Sequence, residues 1–131
     1  MATYHLSVKF GGKGQAANHA DYIERKEKYR ARQGWEYSEP GNIPEWARHN
    51  PSHFWPAADQ FERANGSTYR ELEIALPREL TPEQRLELVQ DFVRQEAGER
   101  HAWSFAIHNP TASIDGGGQP HAHLMMRLRV D

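Results

Sequence analysis

Cysteine is absent from this 131-residue chain. That excludes disulfides and thiolate metal sites, so a transition metal held by side chains must use histidine, aspartate or glutamate. An excess of one charge is lacking too. The 16 basic residues face 18 acidic ones, for a formal net charge of −2, so no global positive field draws in a nucleic acid and any such partner must be gripped by local charge. No run of about 18 apolar residues occurs, which removes a membrane-spanning helix. The start, MATYHLSVKF, has neither the charged nor the apolar region of a secretory signal, and a reducing cytoplasm is the expected location. Internal repeats and low-complexity tracts are also missing. What remains is 37% hydrophobic and 26% charged with four tryptophans, the make-up of a folded protein, at a length suited to one domain over residues 1–131.

The apolar pattern places the elements. Residues 4–10, YHLSVKF, alternate Tyr4, Leu6, Val8 and Phe10 with His5, Ser7 and Lys9, the period of a half-buried strand. After a flexible GGKGQ turn, Gln15 to Arg32 is rich in helix formers, with Asn18 or a neighbour as cap and with Tyr22 and Tyr29 on roughly one face. From Gly34 to Pro56 the chain is dense in proline, glycine and tryptophan and reads as a packed loop with short helical turns. Pro56 at a first helical position and Gly66 past the end predict a short helix over 56–65 with Ala58 and Phe61 inward. STYRELEIALP is a strand with Leu72, Ile74 and Leu76 on one face and Tyr69, Glu71, Glu73 and Ala75 on the other. Thr81, Pro82 and Gln84 form a capping box ahead of the stripe Leu86, Val89, Phe92 and Val93, and Gly98 ends that helix. HAWSFAIH is a further strand, with Trp103, Phe105 and Ile107 opposite Ser104, Ala106 and His108. In the last strand Ala122, Leu124, Met126, Leu128 and Val130 oppose His121, His123, Met125, Arg127 and Arg129.

If the apolar faces all pack on helices, as a sheet with one covered side requires, then Glu71, Glu73, His108, His121, His123 and His5 project from the other face. A His-x-His pair alone is weak, because histidines on strand faces are common and mostly bind nothing. His108 on the neighbouring strand and two glutamates on the same face add to it. Residues i and i+2 of a strand lie about 6 to 7 Å apart, a span that two side chains reaching for one small cation can cover. With no thiolates, three neutral imidazoles with open positions suit Mn²⁺, Mg²⁺, Zn²⁺, Co²⁺ or Ni²⁺ and leave room for substrate oxygens, a Lewis-acid layout.

At HAHLM, taken with FAIH upstream of it, the chain resembles the relaxases of the MobA/MobL family, members of the wider HUH endonucleases. YHLSVKF, ADYIERKEKYR, AADQFERANG, RELEIALP and IHNP…QPHAHLM all look like segments of those mobilisation proteins, in the same order. The likeness covers nearly the whole chain. It implies an α+β fold, an antiparallel sheet of about five strands with helices packed on one face. It also implies an enzyme that nicks and rejoins one strand of plasmid DNA at the origin of transfer through a covalent 5′-phosphotyrosine, and so initiates conjugative mobilisation.

By the same resemblance Tyr22 of the DYI segment is the nucleophile, His108, His121 and His123 are the metal ligands, and Glu71 and Glu73 are the acidic pair, one of which orients a histidine or acts on a proton. The cofactor implied is a divalent metal, Mn²⁺ or Mg²⁺ ahead of Zn²⁺, Co²⁺ or Ni²⁺. The partners implied are single-stranded DNA, relaxosome accessory proteins and a secretion coupling protein. This assignment makes chemical sense. A cation on a non-bridging oxygen relieves the charge that repels a nucleophile, and a phenol with a pKa near 10 leaves well enough to let the step reverse. Arg25, Lys26 and Lys28 beside Tyr22, with Arg30 and Arg32 beyond, form either a solvated helix face or a grip on phosphates. Arg127 and Arg129 lie on the histidine face and are candidates for backbone contact. Tyr29 is the runner-up nucleophile. Tyr4 reads as core, and the tryptophans as packing, with Trp103 inward. Relatives normally continue past the histidine strand, so the chain is expected to be the N-terminal catalytic core of such a domain, shortened or truncated. Competing readings are a non-catalytic single-stranded DNA-binding or relaxosome assembly module, and an HUH replication initiator.

Overall fold

A computed structural model of the protein describes residues 6–24, 34–110 and 118–128. Its frame is a five-stranded sheet in the order β1-β3-β5-β4-β2, with every neighbouring pair antiparallel. The strands are β1 (Leu6–Gly12), β2 (Trp35–Gly41), β3 (Ser67–Ala75), β4 (Trp103–His108) and β5 (His121–Met126). The helices are α1 (Ala16–Glu24), α2 (Phe54–Phe61) and α3 (Pro82–Ala97), with two 3₁₀ turns over Glu45–Ala47 and Pro51–His53. The fold is therefore α+β with an antiparallel sheet, as the resemblance implies.

One strand escaped the sequence reading. The expected loop after Gly34 begins with β2, whose residues WEYSEPG pair with β4. Pro40 made the segment look unlike a strand, but β2 lies at the edge of the sheet, where a residue without an N–H breaks no ladder on the solvent side. The short helix also starts earlier than expected, at Phe54, and ends at Phe61. Ala58 points inward as anticipated, whereas Phe61 is 77% exposed. The inward places on that helix go to Phe54, Trp55, Ala58 and Asp59.

The helices do not keep to one face. On one side α3 lays Val89, Val93 and Ala97 over Leu72, Leu76, Phe105, Ile107, Ala122, Leu124 and Met126. Its start has the anticipated capping box, in which the Gln84 N–H donates to the Thr81 hydroxyl and the Thr81 N–H to the Gln84 side chain. Gly98 closes the helix at φ 58°. On the other side α1 and α2 pack Ala16, Ala20, Ile23, Phe54, Trp55 and Ala58 against Tyr69, Ala106 and Met125. The reason lies in strand composition: β4 and β5 carry small or apolar residues, Ala106 and Met125, on the histidine face too, and burying a second apolar surface favours a second layer. The apolar residues of β1 behave otherwise, for Leu6, Val8 and Phe10 remain half or more exposed.

Two glycines are dictated by aromatic neighbours across the ladder. A Cβ on Gly11 would fall 1.9 Å from the Tyr69 ring, and one on Gly41 2.0 Å from Trp103, their respective cross-strand partners. Tyr69 and Trp103 thus cover gaps that the glycines leave. In the centre of the sheet, Phe105 is fully buried and stacks on Trp103. Phe105→Ala is expected to cost about 3–5 kcal/mol by lost transfer energy and the cavity left behind, seen as a lower urea midpoint with an unchanged slope.

Candidate metal centre and nucleophile

His108 ends β4, and His121 and His123 open β5. The register sets His108 directly opposite His121, with Ala106 opposite His123. Since i and i+2 share a face, all three rings fall on one side of the sheet. Their centroids lie 5.4 Å (His108–His121), 4.8 Å (His108–His123) and 5.0 Å (His121–His123) apart, and one nitrogen from each lies within 4.8 Å of the others. Small side-chain rotations bring such atoms to the ~3 Å that separates two nitrogens on one ion with bonds of about 2.1 Å. His108 and His123 are buried and His121 is partly exposed.

Each ring is oriented by its other nitrogen. His108 Nε2–H donates to the Ile23 carbonyl at 2.6 Å, His121 Nδ1–H to the Gln119 carbonyl at 3.0 Å, and His123 Nδ1–H to Glu71 Oε1 at 2.6 Å. In the neutral rings this puts the lone pair on Nδ1 of His108 and on Nε2 of His121 and His123. Three fixed imidazoles with outer hydrogen-bond partners form a donor set that fits a divalent ion.

The two glutamates part company here. Glu71 is 3% exposed and bridges two histidines, with Oε1 on His123 and Oε2 accepting from His19 Nε2–H at 2.5 Å. Burial by itself would raise its carboxyl. The hydrogen bonds from His123 and His19, with the charge of both rings, outweigh that and bring it from 4.5 down to about 2. Glu73, across the ladder from His123, is part exposed and stands 3.9 Å from His123 Nε2. Glu71 is the orienting carboxylate; Glu73 lies on the side of the lone pair.

Glu71 supports two expectations. Glu71→Gln should weaken divalent-metal binding about 10–100-fold, as loss of an outer partner does, measurable by calorimetric titration with Mn²⁺. A carboxyl held below its unfolded value stabilises the fold above that value and loses the contribution as pH falls through the folded one. In EDTA, wild-type stability should therefore decline as pH drops from 4.5 toward 2, and urea midpoints of Glu71→Gln across this window should decline less.

Helix α1 delivers Tyr22. A carboxylate from α2 caps its start: buried Asp59 accepts from the N–H groups of Gly14, Ala16 and Ala17 at 2.9–3.0 Å, satisfying donors at a helix start and opposing its dipole. Farther along, the Ile23 carbonyl receives the His108 proton, so the residue after Tyr22 touches a candidate ligand. Tyr22 itself is part buried and packs against the core cluster below α1, and its ring stacks on His19 at 5.8 Å. Tyr69, also near Glu71, is a poor nucleophile. Burial, then the charges of Glu71 and Asp59, push its phenol up to about 12.

The remaining sequence candidates divide. Arg127 does not reach solvent, which corrects the expected backbone contact. It is 2% exposed, and its Nη1 donates to Glu62 Oε2 at 2.8 Å and to the Thr68 carbonyl at 3.1 Å. The second helical layer covers this end of the face, and a guanidinium enclosed there needs a carboxylate partner. Arg25, Lys26, Lys28, Arg129, Tyr29, Tyr4 and His5 lie outside the described residues. Sequence reasoning missed His19, whose signal was its place one turn before Tyr22, and it missed Asp59, a capping carboxylate distant in sequence from the helix it caps.

The α+β domain thus sets three imidazoles that could hold a metal ion on one sheet face, with a buried carboxylate behind them. The chain belongs to the MobA/MobL family, whose description by sequence it matches over residues 12–130. It is 65% identical over its full length to the 43 kDa relaxation protein of Salmonella typhimurium, spanning 36% of that protein. It is 43% identical to mobilization protein A of Escherichia coli, again over its full length but 18% of the relative. The chain thus corresponds to about a third or less of these relatives. A solved structure concerned with the molecular basis of vancomycin resistance transfer in Staphylococcus aureus superposes with a TM-score of 0.77 at 28% identity, over 98% of this chain and 71% of that one.

Proposed function

We propose that the domain is the nicking and rejoining part of a plasmid relaxase, a site-specific single-strand endonuclease and strand transferase of the HUH kind. The observation that carries this reading is the hydrogen bond from His108 to the Ile23 carbonyl, which docks the Tyr22 segment on the three-histidine cluster. The names of the similar proteins, relaxation and mobilization, point the same way. His108, His121 and His123 would hold a divalent ion, Mn²⁺ or Mg²⁺ foremost, with Zn²⁺, Co²⁺ and Ni²⁺ also compatible with imidazole. Such an ion, when bound, supplies charge neutralisation at a non-bridging phosphate oxygen.

The chain's own residues do the rest. The Tyr22 oxygen attacks phosphorus as its proton leaves; the new P–O bond to tyrosine forms, the bond to O3′ breaks, and O3′ takes up a proton as the released 3′-hydroxyl. Glu73, which is part exposed, would accept the phenol proton. Glu71 is committed to two histidines and keeps His123 in its tautomer. The 5′-phosphate end stays on Tyr22, and a 3′-hydroxyl reverses the step by expelling the phenolate. Arg25, Lys26, Lys28 and Arg129 would follow the backbone of single-stranded DNA at the origin of transfer. Relaxosome accessory proteins and a secretion coupling protein in the cytoplasm would complete the assembly.

A supercoiled plasmid carrying the cognate origin tests this. With Mn²⁺ the protein should convert it to open circles, and EDTA should stop the conversion. Supercoils that persist in Mn²⁺ while an origin oligonucleotide still binds would favour a non-catalytic binding module.

A further inference from the structure

Glu71 serves two rings, and only one belongs to the metal centre. Its Oε1 holds His123 at 2.6 Å; its Oε2 holds His19 at 2.5 Å. The His19 ring lies nearly parallel to Tyr69, at 5.2 Å and 7°, and stacks on Tyr22 at 5.8 Å and 25°. Both anchors, Glu71 and Tyr69, are buried on β3. One carboxylate thus sets the orientation of a candidate metal ligand and of the ring against which Tyr22 rests. Docking α1 does not need this histidine: Asp59 secures the helix start, Ile23 meets His108, and Ala16, Ala20 and Ile23 fill the core beneath. The stacking on Tyr22 is what His19 adds.

We propose that His19 is a positioning residue: clamped between the Glu71 carboxylate and the Tyr69 ring, it sets the rotamer of Tyr22 and so registers the phenol to the three-histidine centre. This rests on Tyr22 being the nucleophile. A part-buried phenol on a helix can still occupy more than one staggered χ1 well, and a displacement of about 1 Å at a reacting atom costs on the order of 10²-fold in rate. A neighbouring ring that selects one well therefore acts on the rate of the covalent step and leaves DNA affinity alone.

The test compares the full chain with His19→Ala, which removes both bond and stack, and His19→Phe, which keeps a ring to stack. Single-turnover adduct formation is followed with saturating origin oligonucleotide and Mn²⁺. His19→Ala should slow it by on the order of 10²-fold, while Kd for the oligonucleotide and for Mn²⁺ stay within about threefold of wild type. His19→Phe should recover much of the rate. An independent arm labels the protein with 3-fluorotyrosine and identifies the Tyr22 ¹⁹F resonance by its loss in Tyr22→Phe. That resonance should move toward the free amino-acid value in His19→Ala and stay near wild type in His19→Phe. A wild-type adduct rate in His19→Ala, or an unmoved Tyr22 resonance, overturns the proposal. Absence of a Tyr22-dependent adduct with wild type instead overturns Tyr22 as the nucleophile, and the ¹⁹F arm still decides whether His19 holds the ring.

Discussion

Tyr22→Phe is expected to abolish the denaturant-resistant adduct between the protein and an origin oligonucleotide, a loss on the order of 10³-fold or more, because in the proposed mechanism the Tyr22 oxygen carries the phosphate. The effect should fall on chemistry alone. Phenylalanine keeps the ring that stacks on His19, so the helix stays docked and oligonucleotide affinity should change little. Gel electrophoresis in denaturant with labelled DNA and Mn²⁺ gives the answer directly. An adduct that survives the substitution would move the role to Tyr29, the tyrosine seven residues on. Tyr69 is the least suited alternative, its phenol held protonated by burial and by the carboxylates of Glu71 and Asp59.

The second large effect is expected at the histidines. His121→Ala and His123→Ala should each weaken Mn²⁺ binding by more than about 100-fold, beyond the loss from removing an outer partner such as Glu71, and should abolish nicking together with metal binding. His121 separates ligand loss from misfolding, because it is partly exposed and orients itself on the Gln119 carbonyl; its substitution leaves no enclosed void. His123 is buried against Glu71, so its removal also leaves a carboxylate without one of its donors and should lower stability. Calorimetric titration with Mn²⁺, beside far-ultraviolet circular dichroism, distinguishes these outcomes. Retained metal affinity in His121→Ala would remove that residue from the ligand set.

Much of this arrangement is legible in the sequence. Thr81, Pro82, Gln84 and Gly98 announced α3 because capping chemistry is local and needs no tertiary partner. Strict alternation in β3, β4 and β5 assigned Glu71, Glu73, His108, His121 and His123 to one face, since a strand's two-residue period is a property of its own backbone. Strand β2 was hidden, because a proline-bearing segment becomes a strand only through the edge position it occupies. Phe61, outward on a helix that starts two residues and ends four residues earlier than expected, and Arg127, enclosed with Glu62, show the same limit: burial is a relation between segments.

By itself the sequence determined the donor types, their shared face and the family likeness, because residue chemistry, strand period and motif order are carried by the chain alone. Only the tertiary structure decided that helices cover both faces of the sheet, that Glu71 bridges His123 and His19, and that the carbonyl after Tyr22 meets His108. Those contacts join residues 52 and 85 positions apart. Bringing such distant groups together depends on strand order and on how the helices pack over the sheet, and neither is written in any local stretch of sequence.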